Sequence, residues 1–573
     1  MISDTTGIGI LKLLLMKVIY NTFILFVFVF TSFHFSYSQN LHFQNGVVSS
    51  ANELASAVGI DVMKKGGNAI DAAVAVGFAL AVVYPQAGNI GGGGFMVIHF
   101  PDGKNIALDY REKAPSQAYK DMFLDLNGNV IEDLSTTGPL AAGIPGSVAG
   151  MLYALEKYGT MSREKIISYA IDLAENGFKI NDKFAILLNS QQSEYKGFKG
   201  TLNIFGGKFK DGDIIIQKDL ANTLREISKY GRDGFYKGKI AEMIINEVNN
   251  NGGIFTYSDL ENYNVIEREV LKSSYRGYEI ISMPLPSSGG ICLINMLNML
   301  ENYNLTNFGF GTPEYIHLTT EAMRRAYADR SEYLGDADFI NVPVDILISK
   351  QYAKDRMIDF NPDIAGKSSE VKKGDVYKKE HTETTHYSVA DKSGLCVSVT
   401  TTLNDNFGNK EIVEGAGFFL NNEMDDFVSK PGTPNIYGLI GTDANSIAPN
   451  KRMLSSMTPT IILKDTKPFM ILGSPGGGRI ITTVLQTIIN VIDFGMDLET
   501  AVESPRFHHQ WYPDEIVIEK NSLSLNTKNK LIEMGHNLKE IINFGRIDAI
   551  MFFSDGFMTG ISDTRGYGKS MGF

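Results

Sequence analysis

Apolar residues recur at helical spacing between Ala51 and Lys65, at Leu54, Val58, Ile60, Val62 and Met63. That periodicity predicts an amphipathic helix, and Gly66-Gly67-Asn68 stops it as a glycine after the last turn does. Ala69 to Val83 is almost wholly apolar and predicts a second helix, buried on every side. Gly91 to Gly94 lead into Phe95-Met96-Val97-Ile98-His99-Phe100, which reads as a strand. Pro101-Asp102-Gly103-Lys104 turns the chain, and Ile106 to Arg111 returns as a second strand. From about residue 150 to 360 the pattern is of many short amphipathic segments, mostly helical. Lys367 to Lys379 is polar and charged, and predicts an exposed loop.

The texture changes at Thr384. Tyr387 and Val389 alternate with polar neighbours, Asp391-Lys392-Ser393-Gly394 turns the chain, and Leu395, Val397 and Val399 alternate again. This is a β-hairpin whose first strand starts at Thr384. Pro459 to Leu463 and Phe469 to Leu472 predict another hairpin across Lys464-Asp465-Thr466-Lys467. Gly473-Ser474-Pro475-Gly476-Gly477-Gly478 then leads into a helix from Arg479 to Phe494. The first part of the chain is thus helix-rich with some strand and the last part strand-rich with helices, an α+β pattern without internal repeats.

The first residues stand apart from this pattern. Lys12 and Lys17 precede an apolar stretch from Phe23 to Phe30, and Ser36-Tyr37-Ser38 follows with small residues at alternate positions. That order predicts a secretory signal over 1–38, cleaved after Ser38, with Met16 as an alternative start. An uncleaved anchor is the competing reading, but the apolar core is short for a span. The expected product is exported, periplasmic or secreted, and meets the membrane only through its export signal.

At 573 residues the chain has room for one large domain or two intimate ones. A hydrophobic share of 43% and a charged share of 21% are ordinary for a globular protein. The net charge of −12 argues against nucleic acid as the main partner, because phosphate binding needs a basic surface. With only Cys292 and Cys396, the chain is not a disulfide scaffold, and no metal-ligand spacing appears. His508 and His509 point in opposite directions if they lie on a strand, so the pair reads as structural.

Two features carry candidate chemistry. Backbone N–H groups at a glycine turn opening a helix suit an anion or a developing oxyanion. The 473–478 turn lacks the Lys-Ser/Thr of a phosphate loop, and a purely structural turn fits it equally well. Thr382, Thr384, Thr385, Thr400, Thr401 and Thr402 crowd together, yet strand threonines are common and none stands out as a nucleophile by itself. No G-x-S-x-G elbow offers a serine instead. Arg111, Asp426 and the pair Ser455-Ser456 lie beside apolar or glycine-rich segments, where each could simply hold a loop.

Taken together, long blocks of the chain resemble the γ-glutamyltranspeptidase family of N-terminal-nucleophile (Ntn) hydrolases. They are GGNAIDAAVA from Gly66, PQAGNIGGGGFM from Pro85, ALDYREKAP from Ala107 and TTHYSV from Thr384. FLNNEMDDF from Phe419, NKRMLSSMTPTI from Asn450, GSPGGGRIITTVLQ from Gly473 and PRFHHQW from Pro505 continue in family order. The resemblance implies a precursor that cuts itself between Glu383 and Thr384. A large chain, 39–383, and a small chain, 384–573, then remain packed as a heterodimer in an αββα four-layer sandwich. It implies Thr384 as nucleophile, with its freed α-amine as base, and Thr402 as its hydrogen-bonding partner. Gly476 and Gly477 become the oxyanion hole. Arg111, Ser455 and Ser456 hold the donor's α-carboxylate, while Asn404, Glu423 and Asp426 hold its α-ammonium. Pro431 to Gly441 looks like a lid carrying Tyr437. Implied substrates are glutathione and other γ-glutamyl compounds, with water or an amino acid or dipeptide amine as acceptor, and no cofactor or metal.

Four positions depart from common family patterns: Glu423 where glutamine is frequent, Thr401 where an aromatic often sits, Gly478 where serine is common, and Glu383 before the scissile bond. None removes a catalytic group. A glutaryl-cephalosporin acylase, a poly-γ-glutamate depolymerase and a non-catalytic envelope binding protein of the same fold are the alternatives. The acidic pair Glu423 and Asp426 beside Arg111 favours a donor bearing both ammonium and carboxylate.

Overall fold

The computed structural model describes residues 42–371 and 384–573; the predicted export segment 1–38 and the residue Glu383 lie outside the described residues. The two opening helices form where the periodicity places them, at Glu53–Lys64 and Ala69–Val83. Asn52 caps the first by accepting the Leu54 N–H. Asn68 and Asp71 form a reciprocal capping box on the second, whose every residue is buried.

Two antiparallel sheets make the centre of the molecule. One has seven strands in the spatial order Lys569–Gly572, Gly46–Ser50, Thr385–Asp391, Cys396–Thr402, Gly93–His99, Asn105–Tyr110 and Ile266–Arg268. The other has six, in the order Met558–Ser562, Asp548–Phe552, Lys467–Leu472, Thr460–Lys464, Tyr278–Ser282 and Leu271–Tyr275. Their facing sides bury Phe95, Val97, Ile281, Ile461, Ile471 and Ile550 together. The outer face of the first sheet packs on Ala69–Val83 and Ser147–Tyr158. The outer face of the second packs on Gly289–Leu300, Pro313–Tyr333 and Arg479–Ile492. The result is the αββα four-layer sandwich, with alternate residues of each strand serving different layers.

Strands from both sides of residue 383 share each sheet. Gly46–Ser50 lies between Lys569–Gly572 and Thr385–Asp391, and Cys396–Thr402 pairs with Gly93–His99. A chain cut at 383 therefore stays assembled by ladder hydrogen bonds and a common core.

The helical expectation for 150–360 holds in the main, and the loop expectation from Lys367 holds in part. The 150–360 region also carries Ile266–Arg268 and the hairpin Leu271–Tyr275 with Tyr278–Ser282. The polar Ser273, on the same face as Leu271 and Tyr275, breaks the alternation, and the turn is an unannounced Arg276-Gly277 with both φ angles positive. In the described part of the loop expected to be exposed, Lys367, Ser369 and Glu370 are exposed, while Ser368 and Val371 are buried. Trp511 donates its ring N–H to the carbonyls of Ser368 at 2.9 Å and Val371 at 2.8 Å. Residues 372–379 of that loop lie outside the described residues. His508 and His509 are both buried and bond in different directions, to Thr482 and Gln510 and to Asp514 respectively.

Candidate active site

The hairpin register builds the first part of the site. Thr401 stands opposite Thr385 in the ladder, so the next pair outward is Thr402 and Thr384. Opposed residues share a face, and the two hydroxyl oxygens lie 3.5 Å apart, long for a hydrogen bond. The Thr402 hydroxyl accepts the Asn404 N–H at 2.7 Å, which fixes it and leaves its own hydrogen free to turn toward Thr384. Both threonines are buried. The Thr384 carbonyl accepts a hydrogen bond from Arg546 at 3.3 Å.

The glycine turn lies at the end of Lys467–Leu472, next to this hairpin. A Cβ at Gly473 would stand 2.3 Å from the His386 ring, so only glycine fits against that imidazole. Burial drives the His386 pKa down to about 3, and the ring is neutral; it bonds Thr400 and Ser388. Gly476 and Gly477 have φ of +131° and +52°, conformations that L side chains resist. Their N–H groups donate to no acceptor among the described residues, and both glycines are buried. Unpaired buried amides at the start of Arg479–Ile492 are donors waiting for an anionic oxygen.

Arg111 follows the last residue of Asn105–Tyr110 and is fully enclosed. Its guanidinium contacts Glu423 at 2.6 Å and Asp426 at 2.5 Å, while its Nε donates to the Met453 carbonyl at 3.3 Å. A third carboxylate, Glu112, is 3.6 Å away. Burial opposes the Arg111 charge, but the three carboxylates outweigh it and its pKa is raised. Burial pushes Glu112, Glu423 and Asp426 upward, with Arg111 opposing that shift in each. The cluster therefore holds acidic groups that an incoming ammonium would stabilise in their charged form.

Ser455 and Ser456 enter from the segment before Thr460–Lys464, beside a parallel bridge between Ser287 and Ser455. The Ser455 hydroxyl accepts the Met457 N–H at 3.1 Å, and that of Ser456 accepts from Arg330 at 3.2 Å. Tyr437 covers the pocket: its ring packs on Gly477 and its hydroxyl donates to the Asn404 carbonyl.

Thr384, Thr402, Asn404, Arg111, Glu423, Asp426, Ser455, Ser456, Tyr437 and Gly477 line one narrow pocket with Met457 and Ile480. Gly476 stands one residue behind the lining. Sequence reasoning missed Glu112, adjacent to Arg111 in the same motif, and Asn435, which donates to Asp426 at 2.9 Å. It also missed Arg330 and Arg546, whose contacts to Ser456 and to the Thr384 carbonyl span 126 and 162 residues and leave no local signal. His317, Glu321 and His536 cluster elsewhere, but Arg324 and Arg325 already pair with the Glu321 carboxylate, so that group reads as structural.

Comparison with known proteins gives this geometry a context. A family model described as gamma-glutamyltranspeptidase matches residues 55–573. The glutathione hydrolase proenzyme of Escherichia coli (strain K12) is 48% identical over 526 residues, covering 91% of this chain and 90% of that protein. The crystal structure of Helicobacter pylori gamma-glutamyltranspeptidase has a TM-score of 0.56 at 50% identity, over 58% of this chain and 97% of that one. Cephalosporin acylase from Bacillus halodurans superposes with a TM-score of 0.82 at 24% identity, over 95% and 98% of the two chains, a likeness of fold.

Proposed function

The chain belongs to the γ-glutamyltranspeptidase family, and from that premise we propose that Thr384 is both the point of self-cleavage and the carrier of the γ-glutamyl group. It is an autoprocessing γ-glutamyltransferase and glutathione hydrolase, made as one chain and working as two.

In maturation the Thr384 hydroxyl attacks the carbonyl of Glu383; the amide nitrogen leaves as the Thr384 amine, and water opens the resulting ester. An α-amine has an ordinary pKa of ~7.7–8.0, far closer to neutrality than a lysine, and so suits taking the hydroxyl proton. In turnover the hydroxyl attacks the donor's γ-carbonyl, and the oxygen that becomes an anion is met by the N–H groups of Gly476 and Gly477. The leaving amine departs with the proton, and a γ-glutamyl ester stays on Thr384. Water then releases glutamate, or the amine of an amino acid or dipeptide takes the acyl group.

The observation that carries this reading is the shared pocket. The hydroxyl of Thr384 stands in the same enclosed space as a guanidinium, two serine hydroxyls and two carboxylates. Serine hydroxyls and Arg111 suit the α-carboxylate; Asn404, Glu423 and Asp426 suit the α-ammonium. A glutaryl donor, lacking the ammonium, would leave Glu423 and Asp426 without a counter-charge beyond Arg111, which weighs against the acylase reading.

The deciding assay incubates purified, processed protein with glutathione, with and without a dipeptide acceptor. Release of glutamate, partly diverted to γ-glutamyl-dipeptide, is expected. Processed protein that releases neither would overturn the proposal. We further propose that the 1–38 segment exports the protein; recovery of a mature N-terminus at Gln39 outside the cytoplasm tests this, and an unexported chain retaining residues 1–38 contradicts it.

A further inference from the structure

Arg330 lies on the Pro313–Tyr333 helix and is buried. Among the described residues no carboxylate comes within ion-pair distance of it, unlike Arg111, Arg324 and Arg325, which all have such partners. Its Nε donates to the Ser288 hydroxyl at 2.9 Å, and a terminal N–H donates to the Ser456 hydroxyl at 3.2 Å. Ser288 in turn donates its hydroxyl to the Ser455 carbonyl at 2.6 Å and its backbone N–H to the same carbonyl at 2.8 Å. One guanidinium thus braces both serines of the pocket from behind.

This bracing decides what the pocket can accept. Each serine hydroxyl already accepts a hydrogen bond from the protein, Ser455 from the Met457 N–H and Ser456 from Arg330. Neither donates to an acceptor among the described residues, and both line the pocket. Two hydroxyl hydrogens are therefore left for one incoming acceptor, and a cation polarises one of them. Arg111 is already tied to Glu423 and Asp426, so its charge is offset before any substrate arrives. Among the described residues Arg330 makes no direct ion pair; the carboxylate whose charge supports it is Asp426, which Arg111 already holds at 2.5 Å, so its own hydrogen bonds go to serine hydroxyls.

We infer that Arg330 is a positioning residue for the donor's α-carboxylate, acting through the Ser456 hydroxyl, which it orients and polarises. The inference rests on the γ-glutamyl reading of the pocket. Arg330 stands behind the residues that line the Thr384 pocket, so its removal weakens binding of the carboxylate more than it slows the chemistry.

The test compares Arg330→Gln and Arg330→Lys with the unchanged enzyme on two donors. One is a γ-glutamyl anilide; the other is the same anilide with its α-carboxylate converted to a carboxamide. Electrophoresis first confirms that each variant has split into two chains. For Arg330→Gln the KM of the carboxylate donor is expected to rise about 10- to 100-fold, the loss of a hydrogen bond to a charged group, with a smaller fall in kcat. The carboxamide donor should change far less, and Arg330→Lys should recover part of the loss. In a Ser456→Ala background the substitution should have little additional effect on KM, because the relay is already gone. Equal losses on both donors, or an unchanged KM in Arg330→Gln, would overturn the inference, as would failure of both variants to mature, which would place Arg330 in folding. Inactivity of the unchanged enzyme on every γ-glutamyl donor would instead sink the functional reading beneath it.

Discussion

Gly477→Ala tests how closely the lid is seated on the glycine turn. An added Cβ would stand 2.3, 2.7 and 2.8 Å from Cδ1, Cγ and Cε1 of the Tyr437 ring. Ordinary carbon contacts lie at about 3.5–4.0 Å, so the ring must retreat by roughly 1 Å. It is not free to do so. The Tyr437 hydroxyl is tied to the Asn404 carbonyl, its N–H to Asn435 at 3.0 Å, and its carbonyl to Gln510 at 3.1 Å. Overpacking of this kind costs about 1–3 kcal/mol, a left-handed alanine about 1 kcal/mol more, and a lost buried hydrogen bond about another 1 kcal/mol. Relief comes by moving either the ring or the Gly477 amide. An oxyanion donor displaced by about 1 Å lowers kcat about 100-fold. Steady-state turnover of a γ-glutamyl anilide measures this, after electrophoresis has confirmed cleavage. Removing the ring as well, in Gly477→Ala with Tyr437→Ala, should leave less loss than the product of the two single effects. A Gly477→Ala enzyme whose kcat stays within about threefold of the parent would refute the reasoning, since neither tight seating nor amide placement would then matter.

Further outcomes follow from the same structure. Arg111→Lys should mature normally but raise KM by about tenfold or more, because an ammonium cannot span Glu423 and Asp426 as the planar guanidinium does; an uncut variant would show instead that the arginine acts in maturation. Asp548 is buried, and burial drives its pKa up to about 7, with the hydroxyls of Ser562 and Ser49 opposing. The folded state therefore keeps a proton that the unfolded chain sheds, and stability falls as pH rises from the unfolded value of 3.8 to about 7. Asp548→Asn should accordingly raise the melting temperature at pH 8 and do little at pH 4, with up to about 4 kcal/mol at stake. Equal shifts at both pH values would contradict this.

Much of this architecture was legible in residue order because its signals are local. Ala69–Val83 is apolar throughout and capped by Asn68 and Asp71, so the helix has the predicted bounds. The Thr384 hairpin follows from alternation and an Asp-Lys-Ser-Gly turn, with strands at Thr385–Asp391 and Cys396–Thr402. The predicted helix after the glycine turn ends two residues early, at Ile492. The Leu271–Tyr275 hairpin was hidden because Ser273 puts a polar residue on its inward face, where it bonds Asn298 of the covering helix. The site divides the same way. Residue types and motif order named the pocket-lining groups, but nothing local says that Arg111 spends its fork on Glu423 and Asp426, or that Arg330 reaches Ser456. Those pairings depend on side chains brought together by the sandwich.

The central claim is that one hydroxyl becomes the neighbour of a liberated main-chain amine. Mass analysis with N-terminal sequencing of the active protein tests it most directly. The account predicts two chains, the smaller beginning at Thr384, and for Thr384→Ala a single uncut, inactive chain. Activity from material with an unbroken backbone between residues 383 and 384, or with its new terminus at another residue, would contradict it.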